Sequence, residues 1–200
     1  MSDLSVVVIA AYFIGSIPFA LLLAKRWGSL DLRLVGSGNI GATNVLRAYG
    51  ITPGVIVAVL DMAKGALSVI LADRLNAAGG APAAAGVAAV IGHVCPPWLG
   101  FRGGKGVATA CGVFSVLTPL AALIAFTIFI VSVWVSRYVS VGSVLASATL
   151  PPIAFATGSP APNVIAAIVV AVLIVVRHRT NLARVRSGTE RSLGWRETRP

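Results

Sequence analysis

Long apolar stretches alternate with short polar segments along this chain, and the apolar stretches carry most of its length. They run over residues 4–24, 53–72, 81–97, 107–118, 119–135, 139–157 and 163–176. A helix of about 20 apolar residues crosses the hydrocarbon of a bilayer, and helices are one of the two structures that satisfy every backbone polar group there. The pattern therefore predicts an all-α integral membrane protein, a compact bundle of about seven transmembrane helices forming one polytopic domain over 1–200. A basic segment, 177–200, closes the chain.

The stretch from 107 to 135 can be read as one long tilted helix or as two short ones broken at Thr118-Pro119, because an internal proline ends or kinks a helix. Charge placement decides between them, since Lys and Arg gather in cytoplasmic loops. With two helices, Lys25, Arg26, Arg33, Arg47, Arg102, Lys105, Arg137 and the arginines from Arg177 to Arg199 share one side. One helix would strand Arg137 and export the basic tail. The expected orientation is N-terminus outside and C-terminus in the cytoplasm, with Arg74 alone outside and Lys64 within a span. Met1-Ser2-Asp3 lacks the positive region of a cleavable signal peptide, so the first apolar run is expected to remain as a span.

Composition agrees: 57% hydrophobic residues and 11% charged ones, with a mean hydropathy of +0.92, exclude a soluble domain of 200 residues. The net charge of +10 is accounted for in part by anionic lipid head groups beside the helices, the favoured reading for most of the tail beyond Arg184. Cys95 and Cys111 have no partner spacing for a zinc site or a redox pair and read as packing residues. The acids are few and scattered, so no protein-bound catalytic metal is expected.

Chemistry is confined to the polar segments. Gly36-Ser37-Gly38-Asn39-Ile40-Gly41-Ala42-Thr43-Asn44 with Arg47, Phe101-Arg102-Gly103-Gly104-Lys105-Gly106, and Arg177-His178-Arg179-Thr180-Asn181 each carry a base; glycines run through the first two, and amide and hydroxyl side chains stand in the first and third. Glycine lets backbone N–H groups approach a ligand, and Arg or Lys adds charge, so each reads as an anion cradle, most naturally for phosphate. On one membrane face together, they suggest more than one phosphate. A helix continued past Arg177 would aim His178, Asn181 and possibly Arg184 along one side.

Two nucleotide motifs fail on context. Gly36, Gly38 and Gly41 match the dinucleotide-binding spacing, but that fingerprint needs a strand, a turn and a helix in a parallel sheet. Gly103-Gly104-Lys105-Gly106 is no Walker A loop, because Gly106 stands where Ser or Thr would hold magnesium. Asp61 and Lys64, three apart inside a span, are expected to pair with each other or with bundle neighbours. A structural ion pair is favoured over the functional reading that an intramembrane charge invites. Pro18 and Pro151-Pro152 read as kinks.

Gly-Ser-Gly-Asn-x-Gly-Ala-Thr-Asn-x-x-Arg, then Gly92-His93 followed by Gly-Phe-Arg-Gly-Gly-Lys-Gly-Val-Ala-Thr, then Arg-His-x-x-Asn-x-x-Arg, resemble the acylphosphate-dependent glycerol-3-phosphate acyltransferases of bacteria, the PlsY family. The likeness covers nearly the whole chain in order and includes Asp61-Met62-Ala63-Lys64-Gly65 and Gly188-Thr189-Glu190. It implies a multi-pass enzyme of the bacterial inner membrane that moves a fatty acyl group from acyl phosphate to the 1-hydroxyl of sn-glycerol 3-phosphate. Lysophosphatidic acid and phosphate would be the products, in the first acylation step of phospholipid synthesis. It implies no cofactor, and neither coenzyme A nor acyl carrier protein as direct donor. The partners implied are the two substrates, membrane lipids and, transiently, the cytosolic enzyme that makes acyl phosphate, with no nucleic acid.

On this reading the expected catalytic groups are Ser37, Lys105, His178 and Asn181. Gly38, Asn39, Asn44, Arg47, Gly103, Gly104, Lys105, Gly106 and Arg184 are expected on substrate phosphate, the loop glycines through backbone donors. Asp61, Lys64, His93 and Glu190 are expected as supports. Whether His178 or the substrate phosphate takes the hydroxyl proton stays open, and Ser37 as a covalent acyl carrier is the weaker alternative because no base stands beside it in sequence. From other classes, a transporter or channel for a small phosphorylated anion would share the basic vestibule but needs access from both faces. A scaffold binding anionic lipid would not need Ser37, Asn44 and Asn181 so close to glycines.

Overall fold

A computed structural model describes residues 3–28, 31–75 and 79–193, with the side chain of Asp3 left aside; the end of the basic tail, 194–200, lies outside the described residues. The helices are α1 Asp3–Gly15, α2 Phe19–Trp27, α3 Ala42–Tyr49, α4 Ile51–Arg74, α5 Ala81–Val94, α6 Val107–Leu117, α7 Pro119–Ser136, α8 Val139–Ala156, α9 Ala161–Arg177 and α10 Arg179–Arg186, with a 3₁₀ turn at Pro97–Leu99. Among the described residues, five segments are long and apolar enough to cross a membrane: Leu4–Trp27 (α1 with α2), α4, Ala81–Leu99, α7 and α8. The bent pair of α9 and α10 makes a sixth and α6 is a shorter apolar helix. Leu22, Ile51, Leu123, Trp134 and Phe155 lie exposed on the outside of the bundle. Such apolar surface suits lipid and not water.

Backbones approach closely where the helices pack most extensively, α1 on α5 and α4 on α6. A Cβ on Gly15 would lie 2.0 Å from the Ala89 carbonyl oxygen, and one on Gly92 2.1 Å from that of Tyr12. On the second pair, Gly65 meets the Thr109 carbonyl and Gly112 that of Met62, at 2.2 and 1.8 Å. Small residues substitute for the hydrophobic effect in a membrane, where lipid tails are as apolar as leucine and close packing must hold helices together.

The breaks have local causes. At Ser16-Ile17-Pro18 the chain bends because Pro18 has no N–H to continue the ladder. The freed carbonyls are taken by distant donors: Trp98 Nε1 donates to Ser16 O at 2.6 Å and Lys64 Nζ to Ile17 O at 2.9 Å. Thr118-Pro119 ends α6 and starts α7, as the charge argument requires, and Asn163 Nδ2 caps the Leu117 carbonyl at 2.9 Å. α8 runs continuously through Pro151 and Pro152. α10 does not continue α9 in line: the chain bends by 52° between them. A corner at His178 thus replaces the continued helix, and Asn181 and Arg184 follow it together on α10, both bonded to Glu190. α3, between the first two spans, had no signal in the apolar pattern because it is short and amphipathic.

Candidate functional site

The first polar segment folds around one amide. Asn44, at the start of α3 and 2% exposed, accepts from Ser37 N at 2.9 Å and Ser37 Oγ at 3.3 Å. Its Nδ2 donates to the carbonyls of Leu32 and Val35, both at 3.0 Å. Both N–H bonds and both acceptor sites of the carboxamide are in use, so Asn44 shapes the turn and has no capacity left for a ligand. Asn44 lines the cavity with its side chain so engaged, which weighs against its expected place on substrate phosphate. Gly36 takes φ 61° and its Cβ would lie 2.3 Å from Asn44 Oδ1. Gly38 N is likewise committed, to Val35 O at 3.1 Å. The turn and α3 line the cavity with Ser37, Asn39, Thr43, Asn44 and Arg47 among others.

The second segment is held from below and above. Gly103 N donates to Val94 O at 2.9 Å and Gly104 N to His93 O at 3.0 Å. Arg177 Nη2 reaches the carbonyls of the same two glycines, each at 3.2 Å. The N–H groups expected to cradle phosphate at Gly103 and Gly104 are therefore spent on the end of α5. These glycines serve close approach instead: a Cβ on Gly104 would sit 2.1 Å from His93 Nε2, and one on Gly103 2.1 Å from His93 O. Gly106 turns the chain into α6 at φ 86° and lines the cavity. The clamp of Arg177 on two carbonyls is visible only in three dimensions.

The third segment meets the second at Lys105, whose ammonium donates to Asn181 Oδ1. Asn181 Nδ2 in turn donates to Glu190 Oε1 at 2.7 Å, which also accepts from Ser140 Oγ at 3.2 Å. Arg184 Nε binds Glu190 Oε2 at 2.8 Å. Arg184 thus braces the carboxylate and, unlike Lys105 and Asn181, does not line the cavity. Ser140 lies near the start of α8 among apolar neighbours, where sequence carries no signal for it. His178, buried at the α9–α10 corner, places Nδ1 2.8 Å from Ile174 O. A carbonyl only accepts, so Nδ1 carries the proton and Nε2 keeps the lone pair. Arg47 Nη2 donates to Arg191 O at 2.9 Å, so the segment after α10 folds back over the site.

Burial, together with the nearby cations of Arg184, Arg47 and Arg177, pushes the Lys105 ammonium down to about 8, against the pull of Glu190. Burial lowers Arg47 as well. Burial alone would raise Glu190, but hydrogen bonds from Asn181 and Arg184 hold it below the usual carboxylate range. The cluster is a set of cations with one internal counter-ion, an arrangement that accepts a further anion.

Beneath it lies the supporting group. Lys64 Nζ contacts Asp61 Oδ1 at 2.7 Å, Ile17 O at 2.9 Å and His93 Nδ1 at 2.9 Å. All three of its N–H bonds are used, which is what a buried ammonium requires. Asp61 and His93 also reach the wall of the main cavity. That cavity, about 290 Å³, starts among Ser37, Arg47, Lys105, His178 and Asn181 and runs down between α6, α7, α8 and α9, past Ala110, Ala146 and Ala171, to Phe114 and Leu150.

An anion site at the head of an apolar groove, inside a helical bundle faced with lipid-compatible side chains, defines a multi-pass membrane enzyme acting on a substrate that is part phosphate and part hydrocarbon. The chain belongs to the glycerol-3-phosphate acyltransferase family, whose sequence model matches residues 5–188. It is 43% identical over 192 residues to the glycerol-3-phosphate acyltransferase of Desulforamulus reducens, covering 96% of each chain. With that of Geobacter sulfurreducens it shares 47% over 180 residues, 90% of this chain and 92% of the relative. The fold matches crystal structures of PlsY, an integral membrane glycerol 3-phosphate acyltransferase. Its glycerol 3-phosphate form gives a TM-score of 0.91 at 41% identity over 96% of each chain. Its lysophosphatidic acid form gives 0.89 at 39% identity, over 96% of this chain and 95% of that one. The protein is accordingly a membrane acyltransferase of phospholipid synthesis, and the transporter reading finds no support among these relatives.

Proposed function

We propose that the protein transfers a fatty acyl group from acyl phosphate to the 1-hydroxyl of sn-glycerol 3-phosphate, releasing lysophosphatidic acid and inorganic phosphate. The observation that carries this reading is the single cavity that joins a cationic head, Arg47, Lys105, His178 and Asn181, to an apolar groove. The cationic head suits phosphate charge and the apolar groove suits an acyl chain. The two bound forms of the PlsY structures, glycerol 3-phosphate and lysophosphatidic acid, support the same pair of ends.

An acyl phosphate is a mixed anhydride with a good leaving group, so the protein has mainly to orient the hydroxyl and neutralise charge. The acceptor oxygen attacks the acyl carbon, the carbon–oxygen bond to phosphate breaks, and the hydroxyl proton passes to His178 Nε2 or to the departing phosphate. Lys105 and Arg47 hold phosphate charge, Asn181 orients the acceptor, and Ser37 donates a hydrogen bond at the turn. Direct transfer is favoured over an acyl-enzyme because the partner of Ser37 Oγ is an amide oxygen, Asn44 Oδ1, which is no base. Charge asymmetry supports an orientation in the bacterial inner membrane with this head in the cytoplasm and the N-terminus outside. There a cytosolic donor-making enzyme could dock transiently.

The test is phosphate release from palmitoyl phosphate by purified protein in detergent, with and without glycerol 3-phosphate, beside Lys105→Ala and His178→Ala. Acceptor-dependent release with formation of acylated glycerol phosphate, lost in both variants, is the expected result. Release independent of acceptor, or acylated Ser37 trapped without acceptor, would overturn direct transfer.

A further inference from the structure

The apolar groove ends within the bundle. On its way from the polar head it is lined by Ser140, Ser143, Ala146 and Leu150 along α8, and from Ser140 to Leu150 the helix covers about 15 Å at 1.5 Å per residue. Below Leu150 the same helices are packed solid: Ala121, Ala154 and Ala167, at 1%, 0% and 0% exposure, belong to the core cluster, and the cavity stops short of them. The bottom is made by Leu150 of α8, Phe114 of α6, and Ala122 and Ala125 of α7. Its depth matches one leaflet, about half of a hydrocarbon core roughly 30 Å thick, which is the reach of an ordinary membrane acyl chain.

An apolar groove with a floor measures what enters it, because a chain too long for it must leave methylenes bent or outside and a chain too short leaves a void. We propose that Ala122 and Ala125, with Leu150 and Phe114 opposite them, form a ruler that sets the length of the transferred acyl chain. The proposal rests on the acyl-transfer reading above. Ala122 and Ala125 are 8% and 6% exposed and one turn apart on α7, so enlarging either raises the floor by a different amount. The higher residue, Ala125, cuts off more of the chain. Above them, Phe126 and Phe129 stack with ring centroids 6.2 Å apart and also line the groove. Phe126 also reaches the outside of the bundle.

The ruler is tested with saturated acyl phosphates from octanoyl to stearoyl, assayed against glycerol 3-phosphate for the unsubstituted protein, Ala122→Leu, Ala125→Leu and Leu150→Ala. In Ala125→Leu the ratio of kcat/KM for palmitoyl over decanoyl donor is expected to fall about tenfold, the scale on which a pocket discriminates methylenes. It should fall less in Ala122→Leu and move toward the longer chains in Leu150→Ala. A common loss for every donor, or an unchanged profile, overturns the ruler. Thermal stabilisation of the same four proteins by lysophosphatidic acids of matching chain lengths reads the floor without any donor. Should the unsubstituted protein use no acyl phosphate, the donor reading fails while the lysophosphatidic acid series still decides the ruler.

Discussion

Lys105, in the loop before α6, and Asn181, in α10, are 76 residues apart and share a direct hydrogen bond in which the ammonium donates to Oδ1. The same amide gives Nδ2 to Glu190, so its orientation is fixed from both sides. Asn181→Asp keeps the acceptor for Lys105 but sets a second carboxylate oxygen against Glu190 Oε1. Losing a hydrogen bond to a charged group costs about 1.5–3 kcal/mol, so turnover should fall by one to two orders of magnitude. Glu190→Gln in the same background restores the donor–acceptor pairing and should recover part of it. Steady-state assays of the two variants check this, and an Asp variant as active as the original would remove the amide from the site.

The pH dependence follows from Lys105. Burial depresses its pKa from 10.5 to about 8, so the charged form that holds phosphate is present below about 8 and lost as pH rises through it. For folding the sign is opposite: the buried ammonium costs stability below about 8, and the cost is relieved between about 8 and 10.5. The kcat/KM profile should therefore show an alkaline limb near 8, reporting the free enzyme. The limb of kcat should lie higher, because bound phosphate favours the ammonium. Lys105→Arg should move the limb out of range, and a limb that stays put would assign it to another group.

The helical fold could be read from the chain because a bilayer leaves few options: apolar runs of the right length must be helices, and the break at Thr118-Pro119 followed from proline chemistry and charge. Ser37, Lys105, His178 and Asn181 stood out for a related reason, since grouped polar residues are conspicuous in a hydrocarbon-rich sequence. Division of labour within the segments was not legible. Asn44 and Lys105 look alike as polar motif residues and both line the cavity, yet the amide is bonded within its own turn while the ammonium reaches across to Asn181. Gly103 and Gly104 offered N–H groups in sequence, but whether an N–H is free depends on the end of α5, which only the folded chain brings beneath them. Ser140 and the clamp of Arg177 are contacts between distant helices with no local signature.

Gly104 has no Cβ because His93 occupies its place, at 2.1 Å. Gly104→Ala should push the loop off α5 and displace Lys105, raising KM for glycerol 3-phosphate by about tenfold or more. His93→Ala removes the obstruction while leaving Lys64 without one acceptor, a loss of about 1–3 kcal/mol in stability. In the double variant the KM defect should shrink below that of Gly104→Ala alone, since contacting residues are non-additive. Additive effects in the cycle would mean that the ring and the loop are independent. His93→Ala by itself should lower thermal stability more than turnover, and the reverse would make His93 a group in the chemistry.

Lys64 and Asp61 separate structure from catalysis, because they are buried in the bundle and still touch the site through Asp61 and His93. Lys64→Met leaves the Asp61 carboxylate buried beside His93 without its main partner, and breaking such a pair costs about 3–5 kcal/mol. The melting temperature in detergent should fall accordingly. Adding Asp61→Leu removes the orphaned charge, and because an apolar pair of similar volume is often as stable as the ion pair it replaces, most of the loss should return. Turnover of the folded double variant then discriminates the roles. A pair that serves packing leaves an enzyme slowed only as far as the loop above it has shifted. An inactive double variant of normal stability would place Asp61 in the reaction, acting from the cavity wall it shares with Lys105 and His178.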